Sequence, residues 1–343
     1  MSPRTLAGIV EILDRYIFDV ANVQAMLRLS TPVALAGLSA LVTSRAGMIN
    51  IAAEGIINLC TFAAVAGAFF SRSTSVGIMS ALLTGLVAAS FFALFSIKFR
   101  ADLIIMGIAI NIFAVSTTMF LCRVIFQQAG AFTDPSIAGL QPIHIPVLED
   151  LRILGPILSG HSPLTYAVWA LIPITRIFLY RTRWGLRLRA VGEAPQAAET
   201  LGVDVQLIRF AAIVASGFFA ALAGVYLSLS HLRMYTDGMA AGRGFLGLTA
   251  NIFGNQEPIG VFLSSLLFGL VESIGWRMQA DRLMPVQFIN MLPYLATMVM
   301  LTTSALRSRQ TRKNALERAA KKSISDQGDP LESTSRRTTV PLP

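Results

Sequence analysis

The sequence contains few charged residues for its length. Asp, Glu, Lys and Arg make up 14% of its 343 residues, whereas soluble globular domains contain about 25%. Hydrophobic residues make up 54% and the mean hydropathy is +0.63. A soluble fold of this composition would leave much apolar surface in contact with water. The composition therefore excludes a soluble globular protein and favours a protein embedded in a lipid bilayer.

Cysteine and histidine are also scarce, with two and three residues in the whole chain. Cys60 and Cys122 lie in separate apolar stretches and belong to no C-x-x-C or Cys/His cluster. Neither a disulfide nor a metal site is therefore predicted, and we interpret both as small helix-packing residues. His144, His161 and His231 are isolated and receive no predicted role, and no cofactor is predicted.

Motifs for catalysis and for nucleotide chemistry are absent from the sequence. No G-x-x-x-x-G-K-[ST] loop occurs around any of the four lysines, so ATP hydrolysis would have to come from a partner. No nucleophile, metal set or pair of acids is grouped at one membrane depth, so we predict that the chain is not an enzyme. The net charge of +9 lies between apolar runs and in one tail rather than among aromatic residues, which argues against nucleic acid as a partner.

Long apolar runs occupy most of the remaining sequence. A membrane-spanning helix needs about 20 predominantly apolar residues. The run Thr31–Thr43 reaches this length only if its helix starts upstream near Asn22. We predict an all-α, polytopic integral membrane helical bundle with about eight crossings. The other predicted crossings are Ile51–Phe70, Val76–Ile97, Leu103–Cys122, Pro163–Tyr180, Phe210–Ser230, Pro258–Trp276 and Met284–Leu306.

The basic residues between these runs predict the orientation of the bundle, because Lys and Arg concentrate in cytoplasmic loops. They fill the loop at 98–100, the segment 181–209 and the chain after Leu306. The number of runs between these three regions allows all of them to lie on one side. We predict that this side, including the C-terminus, is cytoplasmic, and that Arg123–Ser162 faces outward. The charge of residues 1–30 is nearly balanced, so the side of the N-terminus stays open.

The composition also divides the chain into three parts. We assign residues 1–30 to an N-terminal segment and residues 31–306 to the transmembrane domain. The tail 307–343 carries nine basic and four acidic residues. Its polar composition predicts disorder, and attraction to anionic lipid headgroups would explain its charge.

Two stretches do not fit ordinary spanning helices. Glycines and polar residues interrupt the apolar sequence of Ser44–Gly55, and Gly242–Gly254 is a short run that ends just before Pro258. Backbone that leaves helical geometry inside a bilayer must be buried in protein or line a water-filled cavity. Paired broken segments in the two halves of a transporter point to its substrate path. A pair of ordinary interfacial loops is the alternative interpretation.

Four motifs, in order and at consistent spacing, carry a resemblance to a known family. They are SRAGMINIAAEG at 44–55, ADLIIMGIAIN at 101–111, TRWGLRLRAVGEAPQAAETLG at 182–202 and GRGFLGLTANIFGNQEP at 242–258. The chain resembles the permease subunits of ABC importers in the branched-chain amino acid and simple-sugar group, and within it the general nucleoside type. The resemblance runs from about residue 30 to 306. Three departures from the family pattern are Ser44 where Glu is frequent, Ala52-Ala53 in place of Gly-Leu, and Asn251 where a small apolar residue is usual.

The resemblance implies a bacterial inner-membrane permease subunit that forms the path for a nucleoside or a simple sugar. It implies a cytoplasmic ATPase, a second permease of the same or a different chain, and an extracytoplasmic solute-binding receptor as partners, besides the lipid bilayer. An ion-coupled secondary transporter of a small polar solute is the alternative. That class favours a relay of buried carboxylates, and only Glu54 and Glu272 lie inside the apolar runs.

The segment 184–205 predicts the mechanical link to such an ATPase. Pro195 is followed by helix-forming residues and then by a glycine, which predicts a short surface helix. This helix would present Ala197, Ala198 and Leu201 to a groove on a partner. The resemblance identifies the segment as the coupling helix, although a plain amphipathic surface loop is the alternative. The residues assigned to coupling are Gly192, Glu193, Ala197, Ala198 and Gly202.

Four polar residues are assigned to the translocation pathway: Asn50, Glu54, Asn111 and Asn251. A charged carboxylate at the centre of a spanning helix costs about 2.5–3.5 kcal/mol, so Glu54 needs a partner, water or a proton. A structural ion pair with Arg45 and direct contact with solute both remain open. Asn50 offers a donor and an acceptor to a solute or caps the next helix. Asn111 lies in a clean span, where amides often link helices, and we expect Asn251 to affect what the path accepts.

Overall fold

The computed structural model describes residues 19–137, 139–144 and 154–280, and the single residues 291, 295, 297, 298 and 302. The chain divides into two compact units, Met1–Pro293 and Tyr294–Pro343. In the second unit the described residues are helical, and the hydroxyl of Thr302 donates to the carbonyl of Met298 at 2.8 Å. The predicted tail 307–343 and most of the predicted span Met284–Leu306 lie outside the described residues. Every element named below belongs to the first unit.

The described part of the first unit is almost entirely helical. Two of its helices, α3 and α9, continue into a π-helical segment. The elements in chain order are α1 (Val20–Arg45), α2 (Ala53–Ser71), α3 (Thr74–Ala93, with the π segment Leu94–Lys98), α4 (Leu103–Phe126), β1 (Ala131–Phe132), α5 (Leu154–Leu158), α6 (Pro163–Arg181), α7 (Arg183–Glu193), α8 (Pro195–Thr200), α9 (Val205–Val225, with the π segment Tyr226–Leu232), β2 (Tyr235–Thr236), α10 (Arg243–Phe253) and α11 (Pro258–Ala280).

Seven helices in the described chain are long and apolar enough to cross a membrane: α1, α2, α3, α4, α6, α9 and α11. This confirms the prediction of an all-α polytopic bundle. The helix that contains Thr31–Thr43 starts upstream at Val20. By contrast, α10 has only 11 residues and ends before α11 begins at Pro258. Both predicted breaks are therefore present, one between α1 and α2 and one around α10.

Polar residues in the loops fix where the spans begin. Asp102 precedes α4, and its Oδ1 accepts hydrogen bonds from the backbone N–H groups of Ile104 and Ile105 at 2.9 and 3.0 Å. Asp204 accepts from the N–H of Leu207 at 2.9 Å in the same way at the start of α9. These side chains satisfy N–H groups that the first turn of a helix leaves without intrahelical partners.

The core of the bundle lies around α1, which packs against α9, α10 and α11, while α2 packs against α3, α4 and α9. Small residues allow the closest approaches, as between α3 and α9, where a Cβ at Gly217 would lie 2.6 Å from the carbonyl oxygen of Gly85. The outer faces of α3 and α4 expose large apolar side chains such as Leu83, Val87 and Ile112. In lipid such faces need no protein cover, and small residues let helix backbones pack closely.

The two ends of the bundle are built differently. At one end, Gly47 lies against Gly192 and the Nε of Arg45 donates to the carbonyl of Gln256 at 2.8 Å. At the opposite end, β1 pairs with β2 in antiparallel register, and Asp19 forms an ion pair with Arg277 whose hydrogen bond lowers the pKa of the Asp19 carboxyl below its usual value. Following the predicted orientation, we call these the inner end and the outer end.

Candidate translocation site

The first break separates α1 from α2. Helix α1 ends at Arg45, and Gly47 has a φ of +75°, a left-handed conformation that glycine adopts without steric cost. The chain is then non-helical through Ile51, and α2 begins at Ala53. Asn50 in this stretch is buried. Gly47 and Ile49 are exposed, so the break is only partly enclosed by the described protein, and backbone outside helical geometry at membrane depth must be buried in protein or line a wet cavity.

Asn111 on α4 closes the first break. Its Oδ1 accepts a hydrogen bond from the N–H of Gly55 at 2.7 Å, and its Nδ2 donates to the carbonyl of Ile51 at 3.0 Å. One amide side chain therefore supplies both a donor and an acceptor to backbone groups at the interruption. An amide in a clean span often links helices, and Asn111 does so by binding backbone groups rather than another side chain.

The second break is attached to α2 through Glu54. After β2 the chain runs back along α2, and α10 starts at Arg243. The two carboxylate oxygens of Glu54 accept hydrogen bonds from the N–H groups of Gly242 and Gly244, both at 2.7 Å. The carboxylate thus caps the N-terminus of α10, where backbone N–H groups and the helix dipole favour negative charge. These hydrogen bonds to Glu54 come from backbone groups rather than from a basic side chain.

Asn58 makes the same kind of contact one turn further along α2. Its Oδ1 accepts from the N–H of Ala240 at 3.0 Å. Asn58 received no predicted role from the sequence. Its spacing of four residues from Glu54 nevertheless places the two side chains on one face of the helix. That spacing was the available signal. Together Glu54 and Asn58 hold the segment 240–244 against α2.

Arg45 is not the partner of Glu54. Its guanidinium donates to the Tyr180 hydroxyl at 2.9 Å and to Glu257 at 3.5 Å, in addition to the Gln256 carbonyl. Of the two roles left open from the sequence for Glu54, the ion pair with Arg45 is therefore wrong, because Arg45 ends α1 at the inner end, whereas Glu54 lies beyond the non-helical stretch and faces α10. The hydroxyl of Tyr180 in turn donates to Glu257. This network instead joins α1, α6 and the turn before α11.

Asn50 leaves one polar atom without a partner. Its Nδ2 donates to the hydroxyl of Ser216 at 2.9 Å, and that hydroxyl donates to the carbonyl of Ile213 at 2.6 Å. Because the proton of Ser216 is committed, the Asn50 amide must present its NH₂ group there. The Oδ1 of Asn50 is shielded from solvent and has no hydrogen-bond partner among the described residues. It is an acceptor available to water or to a solute donor.

Asn251 on α10 repeats this arrangement in the second break. It is buried, its Nδ2 donates to the hydroxyl of Ser44 at 2.8 Å, and its Oδ1 is unpaired within the described chain. Ser44 and Asn251 are two of the three departures from the family pattern, and the structure places them in direct contact. The two breaks are therefore linked twice, by Glu54 at the start of α10 and by Asn251 near its end.

Glu272 on α11 has a structural partner. It pairs with Arg243 at 2.7 Å, and both side chains are about seven-eighths buried, with exposures of 14% and 13%. This ion pair joins α10 to α11. Among the described residues, no group of three or more His, Cys, Asp or Glu side chains is arranged to hold a metal ion.

The predicted coupling segment forms two short helices, α7 and α8, separated at Ala194. Ala197 and Leu201 are exposed, as predicted, and Leu201 retains 83% of its surface. Ala198 is only 3% exposed and its carbonyl accepts from the N–H of Val203 at 3.1 Å. The prediction that Ala198 is presented to a partner is therefore wrong, because this residue packs within its own subunit. Glu193 and Gly202 are exposed.

Helix α7 contacts the first break without any intervening side chain. A Cβ at Gly192 would overlap the carbonyl oxygen of Arg45, and a Cβ at Gly47 would lie 3.2 Å from the Cα of Gly192. A second link runs through Arg189, whose Nε donates to the carbonyl of Leu179 at 3.1 Å and whose guanidinium lies 4.7 Å from the ring centre of Tyr180. Helix α7 is thus in contact with the first break and with α6.

The described residues form a polytopic helical bundle with two interruptions in contact with each other, an architecture that fits a membrane transport component. The family described as the branched-chain amino acid transport system / permease component matches residues 22–302, so the chain belongs to this family. It is a permease subunit of an ABC importer and is not an enzyme, and the ion-coupled alternative is not favoured.

Individual relatives are similar over most of their length. The nucleoside ABC transporter permease protein NupC of Lactococcus lactis subsp. cremoris is 33% identical over 292 residues, which cover 82% of this chain and 90% of that protein. The guanosine ABC transporter permease protein NupQ of Bacillus subtilis is 33% identical over 291 residues, with the same two coverages. A more distant relative, the glucose ABC transporter permease protein TsgB13 of Haloferax volcanii, is 25% identical over 295 residues, covering 80% of this chain and 74% of that protein.

Proposed function

We propose that this permease moves a nucleoside across the membrane, along a path bounded by the two breaks. The observation that carries the proposal is the bracing of α10 by Glu54, which makes the two interruptions one structural unit. The buried amide oxygens of Asn50 and Asn251, one in each break, add acceptors that have no hydrogen-bond partner among the described residues. Ribose hydroxyls and base amino groups are donors that such acceptors bind. The similarity to the nucleoside and guanosine permeases supports this class of solute.

The proposal includes three partners that the family resemblance implies. An ATPase subunit binds the exposed surface of α7 and α8 at the inner end, a second permease subunit completes the path, and a solute-binding receptor docks at the outer end. The inner end is cytoplasmic, because it carries the basic loops, and the C-terminus lies on the same side. A reporter fused after residue 343 tests this orientation by its activity on one side of the membrane only.

Uptake by cells that express the chain together with its ATPase, permease and receptor partners tests the solute and the energy source. We expect labelled guanosine to accumulate, to be competed by other nucleosides, and to stop when ATP is depleted while the ion gradient is clamped. Uptake that persists without ATP and stops with the gradient would contradict the proposal. The Asn50→Leu and Asn251→Leu variants should change the order of competing nucleosides while the subunits still assemble.

A simple sugar is the second candidate solute, supported by the similarity to the glucose permease. Sugar hydroxyls would satisfy the same amide acceptors, so the acceptors do not separate the two classes. A competition experiment separates them, because an excess of glucose should leave guanosine uptake unchanged if the path serves nucleosides. Accumulation of labelled glucose without accumulation of guanosine would favour the sugar.

A further inference from the structure

A polar cavity of about 480 Å³ opens at the inner end, away from the contacts of Glu54 and Asn251. It lies between the π segment of α3, the start of α4 and the start of α9. The backbone of Gly47 and Met48 forms one side, so the cavity adjoins the first break. The polar side chains in its wall are Ser96, Arg100, Asp102, Gln206 and Arg209.

The two arginines of this cavity have no acidic partner. Within the described chain neither Arg100 nor Arg209 forms an ion pair or a side-chain hydrogen bond. The carboxylate of Asp102, in the same wall, instead directs its Oδ1 to the N–H groups that begin α4. Two positive charges therefore face one carboxylate that is already engaged. The cavity is left with a net positive charge.

Two polar atoms around the cavity are shielded from solvent but unsatisfied. The hydroxyl of Ser96 and the Nε of Arg209 have no hydrogen-bond partner in the part of the chain that the structure describes. Buried donors of this kind are normally paired. A hydroxyl and a guanidinium donate well to phosphate oxygens, and arginine binds phosphate with matched geometry. The chemistry of the cavity therefore fits a phosphate group.

Exposed apolar side chains lie close in sequence to the residues that line the cavity. Phe99, Ile105 and Leu207 are 63%, 71% and 55% exposed, although each lies within a few residues of a cavity-lining arginine or aspartate. A free phosphate ion would make no use of them, whereas the acyl chains of a lipid would cover them. Basic pockets between transmembrane helices on the cytoplasmic side are suited to anionic lipid headgroups.

We propose that this cavity binds the phosphate group of an anionic phospholipid from the leaflet at the inner end. Arg100, Arg209 and the Ser96 hydroxyl bind the phosphate oxygens, and the acyl chains lie along Phe99, Ile105 and Leu207. Because Gly47 and Met48 border the same cavity, the bound lipid contacts the first break from the membrane side. This site is separate from the proposed path for solute.

Native mass spectrometry of the delipidated full chain in detergent tests the proposal. Phosphatidylglycerol, phosphatidylcholine and inorganic phosphate are titrated separately. We expect one phosphatidylglycerol to be retained in preference to phosphatidylcholine, and inorganic phosphate not to displace it at equal concentration. The Arg209→Gln variant, which removes the charge and three of the five N–H donors, should bind phosphatidylglycerol about tenfold more weakly.

The Arg183→Gln variant is the matched control, because Arg183 is an exposed arginine at the same end and its loss changes the net charge equally. Its affinity should match that of the wild-type chain. If Arg209→Gln does not fold, Ser96→Ala decides, since it removes a hydroxyl with no partner in the described chain and should still weaken binding. Equal affinities for these variants and the wild type would overturn the site. If inorganic phosphate or the ATPase partner displaces phosphatidylglycerol from the cavity, the proposal that a lipid occupies it is overturned.

Discussion

The carboxylate of Glu54 on α2 accepts a 2.7 Å hydrogen bond from the N–H of Gly244, in the first turn of α10. Its other oxygen accepts from Gly242 at the same distance. A Cβ at Gly244 would lie 2.7 Å from the Cα of Glu54, so the two backbones touch at this point. The half-helix α10 therefore cannot shift along its axis without breaking charge-assisted hydrogen bonds to the first break.

Replacing Glu54 by Gln tests this brace. The amide keeps one acceptor oxygen, but its NH₂ group would face one of the two backbone N–H groups. We expect the free energy of unfolding in detergent to fall by about 2–3 kcal/mol. The exposed Glu199 on α8 provides the control, and Glu199→Gln should leave the stability unchanged. A Glu54→Gln protein as stable as the wild type would show that the charge is not needed.

Replacing Asn111 by Leu tests how the first break is closed. Leucine has a similar volume but leaves the N–H of Gly55 and the carbonyl of Ile51 without their side-chain partner. We expect a loss of about 1–3 kcal/mol in unfolding free energy. Thr118→Val on the same helix is the control, because the hydroxyl of Thr118 donates to carbonyls of its own helix rather than to backbone groups of a break. Losses of equal size in both variants would remove the special role of Asn111.

A double-mutant cycle tests the contact between Ser44 and Asn251. Ser44→Ala and Asn251→Ala each remove one partner, so the double variant should lose less stability than the sum of the single changes. We expect a coupling energy of about 0.5–1.5 kcal/mol from thermal or denaturant unfolding. Strictly additive losses would mean that the hydrogen bond contributes nothing to the link between the breaks.

Much of the fold could be predicted from the sequence because a bilayer imposes simple rules. Apolar length located the spans, and the runs at Val76–Ile97 and Pro163–Tyr180 match α3 and α6 within a few residues. The breaks were also predictable, since glycines and polar residues interrupt apolar sequence there. The start of α4 was predicted correctly at Leu103, whereas the helix predicted to begin at Phe210 begins at Val205, where the side chain of Asp204 caps it.

The partners of the polar residues could not be predicted, because they depend on packing between distant segments. Glu54 was expected to need compensation, but the compensation comes from backbone N–H groups 188 and 190 residues away, which no side-chain pattern reveals. The burial of Ala198 was missed for the same reason, since the helical pattern of α8 does not tell which face meets α9. The contact of Gly192 with Gly47 could likewise not be predicted from the sequence.

Transport coupling in the Gly192→Val variant tests the central claim most directly. In proteoliposomes with the ATPase, permease and receptor partners, solute moved per ATP hydrolysed should fall about tenfold, because the new side chain separates α7 from Arg45 and Gly47. Binding of the ATPase should be unchanged, whereas Ala197→Trp, on the exposed face of α8, should weaken that binding instead. A Gly192→Val permease with wild-type transport per ATP would contradict the proposal that α7 transmits movement of the ATPase to the first break.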